Sequence, residues 1–254
     1  MNSRFVLYLL GWLMLMEAGF LCVPLLTAAL YSEPILPYVL TIFIAVVASV
    51  AMVRSFRPKD RHIRPRDGFL IVGGAWVMVS ILGAAPYILT PNGLGAVDAF
   101  FESVSGFTTT GSTVISDTTV LPRSLLLWRA MSQWLGGMGI ILFTIAILPL
   151  LGIGGMQLFK AEVPGPVADK VRPRLAATAR SLWGIYVGLT GLEWLALRLA
   201  GVSGYEALCH SFTTLATGGF STRNTSVGEL GIPAVEWIIT LFMLMAGINF
   251  VLHY

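Results

Sequence analysis

Two stretches of the chain combine threonine, serine and glycine in a pattern that can present oxygen to a cation. Residues 101–114 read FESVSGFTTTGSTV and residues 208–221 read LCHSFTTLATGGFS. In the first, Thr109, Thr110, Gly111 and Ser112 follow one another; in the second, Ala216, Thr217, Gly218 and Gly219 do. Extended runs of this kind can turn backbone carbonyls toward an axis, where rings of carbonyl oxygen replace the hydration shell of a monovalent cation. Glycine admits dihedrals closed to residues with a Cβ, and threonine hydroxyls add oxygen ligands. The alternative is a pair of Thr/Gly-rich outer loops that hold no ligand. Two such runs, each preceded by a short apolar segment and followed by a long one, favour the first reading.

The elements that must position these runs are apolar. Of 254 residues, 56% are hydrophobic and 11% charged, against about 25% charged in soluble domains. A soluble globule of this composition would expose large apolar patches. An ordinary cytosolic enzyme, a disordered chain and a nucleic-acid-binding domain are therefore excluded. A bilayer core of ~30 Å needs about 20 apolar residues as helix. Six segments qualify: 5–30, 35–53, 68–89, 123–159, 181–200 and 232–254. The first is too long for a signal peptide and lacks a cleavage site. The segments 97–107 and 205–215 are too short to span.

Basic residues set the orientation. Six of the 16 Lys and Arg lie in 54–66 and five in 160–180. Both clusters are cytoplasmic by the positive-inside rule. They end on the same side only if 97–114 enters and returns as a re-entrant hairpin. Arg4, the N-terminus and the C-terminus then lie inside, and the turn at 31–34 outside. If the short segments descend as helices from outside, their C-terminal ends carry partial negative charge that favours a cation. A span, a short segment with its Thr/Gly run and a second span occur twice. Aligning Gly111 with Gly218 also aligns Thr110 with Thr217. The expected fold is an all-α membrane protein. Two initial transmembrane helices (1–66) precede a first membrane–pore-loop–membrane repeat (67–160). A basic cytoplasmic linker (161–180) and a second repeat (181–254) with its own re-entrant pore helix follow.

Other polar residues carry less chemistry. Glu17 inside the first span reads as a helix-packing group. Asp98 and Glu102 read as acidic residues that either attract cations at an outer mouth or stabilise a helix N-terminus, Glu193 and Arg198 as a solvated pair, and His210 as a hydrogen-bonded packing residue. Arg123 and Arg129 are expected to reach the outer interface, with Trp128 and Trp134 in an aromatic belt. Cys22 and Cys209 read as buried small hydrophobes. Pro149, Gly152, Gly154 and Gly155 lie in a 30-residue uncharged run, 130–159. Such a run is ~45 Å as helix, long enough to kink, break or tilt. No Walker loop, dinucleotide fingerprint, nucleophile elbow or zinc motif is present, so neither an enzyme nor a cofactor is expected.

The sequence resembles the Trk/Ktr/HKT superfamily of potassium transporters, most nearly the TrkH-type membrane subunits of bacterial Trk uptake systems. The residues that carry the likeness are GFLIVGGAW (68–76), DAFFESVSGFTTTGST (98–113), QWLGGMGI (133–140), ILPLLGIGGMQLFKAEVPGP (147–166) and HSFTTLATGGFST (210–222). The resemblance implies a potassium-selective pore built from four such units in one chain. Filter positions would fall on Thr109, Thr110 and Gly111 and on Ala216, Thr217 and Gly218. It further implies potassium uptake across the bacterial inner membrane, a homodimer, and a cytosolic nucleotide-binding TrkA-type subunit facing the basic loops. Two units rather than four are present, which points to the N-terminal half of a longer protein, the alternative being two copies that assemble to close a filter. A sodium- or proton-coupled symporter of the same fold and a non-conducting assembly subunit are the competing expectations.

Overall fold

A computed structural model describes residues 2–58, 65–147 and 168–248. Among them the chain is helical and holds no strand. Helix α1 (Ser3–Leu30) starts at Asn2, whose side chain accepts the Phe5 N–H. Helix α2 (Leu36–Ser55) carries Pro37 in its first turn, where a missing N–H costs nothing. Helix α3 (Pro65–Leu89) stops before Thr90-Pro91-Asn92-Gly93, a turn in which Asn92 takes φ 57°. Helix α4 (Ala96–Phe107), an irregular segment and α5 (Arg123–Ile147) follow. Helices α6 (Ala168–Leu199) and α7 (Gly204–Leu215), a 3-10 turn (Ser226–Leu230) and α8 (Pro233–Gly247) complete the order.

Helices α1, α2 and Asp67–Leu89 are long and apolar enough to cross a membrane. Their outer faces expose Leu26, Phe43, Val47 and Ile81, as expected of helices apolar all round. Helices α4 and α7 have 12 residues each, or ~18 Å, too short for a bilayer core. Helix α5 packs on α1, α3, α4, α6 and α7 and joins two cores. Its Trp128 and Met131 pack with Leu21, Tyr87 and Phe107, and its Met138 with Tyr186, Leu215 and Phe242.

Residues 168–180, at the end of the expected linker, are helical as the start of α6. Helix α8 ends at Gly247, and Ile248 is extended. The expected kink at Pro149 and Gly152–Gly155 lies outside the described residues, as does the stretch after 248.

The turn between α1 and α2 is tied to α5. Both Glu33 carboxylate oxygens accept N–H groups from the first turn of α5, Arg123 at 2.7 Å and Ser124 at 2.9 Å. A carboxylate at a helix N-terminus satisfies orphan donors and meets the positive end of the dipole. Glu33→Ala should therefore cost about 1 kcal/mol, the scale of a lost helix cap. A lower unfolding midpoint in detergent would register the loss, and Glu33→Gln, which keeps one acceptor, should recover part of it.

Candidate ion-coordinating site

Helices α4 and α7 end alike. In α4 the Thr110 N–H reaches the Ser105 carbonyl and the Thr109 N–H the Gly106 carbonyl, both at 2.9 Å. In α7 the Gly218 N–H reaches Thr213 and the Thr217 N–H reaches Thr214, also at 2.9 Å. These paired bonds are the Schellman closure, which puts one residue in the left-handed region, usually glycine. Here that residue is threonine both times, Thr109 at φ 55° and Thr217 at φ 53°. Two residues on, Gly111 (φ 77°) and Gly219 (φ 84°) are left-handed again. Thr110 and Gly218 between them are not.

These bonds also correct the repeat register. The true correspondence pairs Thr109 with Thr217 and Gly111 with Gly219. Aligning Gly111 with Gly218 is one residue off, because a Thr-Gly step recurs in both runs and only the helix ends fix the register. Gly218 thus occupies the place of Thr110.

One face of α5 supports both runs. Arg129, Gln133, Gly136 and Gly137 follow the spacing that aligns residues on a helix. A Cβ on Gly136 would overlap the Phe107 carbonyl at the end of α4. On Gly137 it would stand 3.0 Å from Ala216 Cα at the end of α7. The adjacent glycines let α5 touch both helix ends at once. A Cβ on Gly218 would overlap the Gln133 amide, and one on Gly111 would overlap the Gly218 carbonyl oxygen. The two runs therefore meet backbone to backbone at Gly111 and Gly218.

The outgoing legs are pinned by Glu102, Arg129 and Asn224. Glu102 is fully buried and pairs with Arg129 at 2.8 Å. It also accepts the Thr113 hydroxyl at 2.9 Å and the Val114 N–H at 3.2 Å. Arg129 donates to the Ser221 carbonyl and the Thr113 hydroxyl, each at 3.2 Å, and stacks over Phe220 at 4.0 Å. Farther out, Asn224 accepts from the Thr118 N–H at 2.8 Å and donates to Asp117 at 2.9 Å. Hydrogen bonds from Thr119 and Asn224 hold the Asp117 carboxyl below its ordinary value.

Of the sequence-predicted residues, Thr110, Ser112, Thr217 and Gly219 are exposed at the runs, Thr109 and Gly111 half-buried. Ala216 and Gly218 are buried against α5. Several other expectations fail. Arg129 does not reach the outer interface but is buried at 2% exposure with Glu102. Trp128 is core, donating to the Gly83 carbonyl at 2.9 Å. Glu193 is buried rather than solvated, and Arg198 instead donates to the Val202 carbonyl. Cys22 is exposed on α1, while Cys209 is buried. Glu17 is buried near Gly83 and Ser103, close to the first run rather than apart from it. His210 is buried, and its Nε2 has no hydrogen-bond partner among the described residues. The roles of Arg129 and Gln133 were missed. Their spacing ahead of Gly136-Gly137 was the available signal.

The family model for TrkH, described as a cation transport protein, matches residues 36–254. The Trk system potassium uptake protein TrkH of Escherichia coli K12 is 43% identical over 258 residues, covering 100% of this chain and 53% of that protein. TrkG of the same strain, also a Trk system potassium uptake protein, is 38% identical over 257 residues, with the same coverage. The crystal structure of the potassium transporter TrkH from Vibrio parahaemolyticus superposes with a TM-score of 0.88 at 37% identity, covering 100% of this chain and 51% of that one. The chain spans about half the length of the curated relatives it matches. Fold and matches together place the chain in a class of helical proteins whose family is described as cation transport. Within that class, the chain belongs to the TrkH family.

Removing one partner of a buried ion pair strands the other charge, at a cost of about 3–5 kcal/mol. Arg129→Met should therefore sharply lower the unfolding midpoint in detergent. Arg129→Lys should not rescue it, since an ammonium lacks the guanidinium fork. Glu102→Gln combined with Arg129→Met should recover much of the loss. Asn224→Ala should cost about 1 kcal/mol per lost hydrogen bond. A carboxyl with a depressed folded value stabilises above its unfolded value and loses that contribution as pH falls through the folded one. The Asp117–Asn224 contact should thus weaken only below about pH 4, and the Asn224→Ala deficit should stay constant from about pH 5 to 8.

Proposed function

We propose that this chain forms part of a potassium-uptake pathway across the bacterial inner membrane. Its N-terminus and the basic segments 54–66 and 160–180 face the cytoplasm. The runs Thr109-Thr110-Gly111-Ser112 and Ala216-Thr217-Gly218-Gly219 are two sectors of a carbonyl-lined selectivity filter carried by re-entrant pore helices. Each belongs to a membrane–pore-loop–membrane unit, the first spanning 67–160 and the second 181–254. The observation that carries this reading is the left-handed residue at every second position, Thr109 and Gly111, Thr217 and Gly219. Such alternation turns successive carbonyls to one side, the arrangement that replaces an ion's water shell. The C-terminal ends of α4 and α7 add negative potential beside it. A β-branched residue in the left-handed region is strained, and such strain persists where function requires it. Threonine at both positions supports a role for the hydroxyl or carbonyl at that place. A homodimer and a cytosolic nucleotide-binding TrkA-type subunit on the basic segments complete the proposed assembly.

Rubidium uptake by the full-length protein, in cells lacking other potassium importers, tests this reading. Gly111→Ser and Gly218→Ser should each lower uptake about tenfold or more, since overpacking of 1–3 kcal/mol falls on the filter backbone. Gly188→Ala, where an added Cβ meets open space, should leave uptake intact. Equal uptake by all three would sink the filter assignment. Thr109→Gly should relieve about 1 kcal/mol of backbone strain and raise the unfolding midpoint while lowering rubidium uptake, a pairing that a purely structural threonine would not give.

A further inference from the structure

Gln133 lies on α5 one turn after Arg129 and is wholly buried. The orientation of its amide is fixed by chemistry. The Phe220 N–H needs an acceptor, and Oε1 takes it at 3.1 Å. Nε2 then sits by the seam where the Gly218 carbonyl meets Gly111. A Cβ on Gly111 would stand 3.8 Å from it, and one on Gly218 would stand 2.6 Å from it. Nε2 has no hydrogen-bond acceptor among the described residues. A buried donor left unpaired is costly and calls for an explanation. The glycine at 218 makes room for this amide, whose size leaves no space for a side chain there.

We propose that Gln133 is a positioning residue for ion selectivity. Its Oε1 holds the second run through Phe220. Its unpaired NH2 group is a donor for a backbone carbonyl at the Gly111–Gly218 seam, taken when an ion leaves and released when one enters. Gln133 thereby sets the spacing of the two runs without touching the ion. Spacing and carbonyl field are the quantities that separate potassium-sized from sodium-sized cations. The inference rests on the potassium-pathway reading above.

The test uses full-length protein in proteoliposomes, with rubidium and sodium fluxes measured on the same preparation. Gln133→Glu keeps shape and acceptor and, once ionised, removes the donor, so its flux ratio is read on the plateau reached by raising pH; Gln133→Met removes both. Each should lower the rubidium-to-sodium flux ratio about tenfold, the scale of one hydrogen bond. Gly188→Ala should leave the ratio unchanged. A merely structural glutamine would lower both fluxes together, so an unchanged ratio in Gln133→Glu overturns the proposal even if Gln133→Met fails to fold. A ratio altered in Gln133→Met alone assigns the effect to Oε1 and overturns the donor's part. Failure of the unsubstituted protein to carry rubidium would sink the pathway reading itself, and this inference with it.

Discussion

A guanidinium removed from water must be met on every side, and Arg129 is met by both halves of the described chain. Glu102 comes from α4, Thr113 from the leg that follows it, and the Ser221 carbonyl and Phe220 ring from the leg after α7. A hydrophobic pair of similar size often packs as well or better, because desolvating two charges is expensive. What such a pair lacks is direction. The fork of Arg129 accepts one arrangement of two carbonyl-bearing legs and penalises others, so the ion pair specifies geometry more than it adds stability. The runs at 109–112 and 216–219 inherit that geometry because their outgoing ends cannot shift independently.

The helix ends add a second constraint. A Schellman closure normally takes glycine at the left-handed position, as Gly201 does after α6 at φ 98°. The same closure ends α1 with Ser32 at φ 56°, so the chain uses glycine at one ordinary terminus and serine at another, and keeps the β-branched residue for the two Thr/Gly runs. Local propensity and global structure disagree at these two places, as is expected where a site rather than stability has chosen the residue.

Much of this was legible beforehand. Residues 97–107 and 205–215 read as short helices from length alone, and the structure ends them at Phe107 and Leu215. The first three long helices were equally plain from their apolar runs. The repeat was visible, but its register was not, because Thr-Gly steps in both runs permit two alignments and hydrogen bonds at the helix ends decide. Charged and aromatic residues were misread for one shared reason. Arg129, Trp128 and Glu193 sit in apolar sequence near segment ends, where interfacial exposure is the usual outcome. Burial here comes from contacts 16 to 92 residues distant in the chain for Arg129, which no local pattern encodes. Gln133 was invisible on the same grounds, although its place ahead of two glycines on one helical face hinted at a packed surface.

The tandem Gly136-Gly137 has a mechanical consequence. Adjacent residues on a helix point about 100° apart, and here one abuts Phe107 while the other abuts Ala216. Rotation of α5 about its axis would bring a neighbouring side chain into the place of one of these glycines, against backbone that leaves no room for it. The two contacts therefore lock the helix's rotational setting, and with it the distance between the ends of the two short helices.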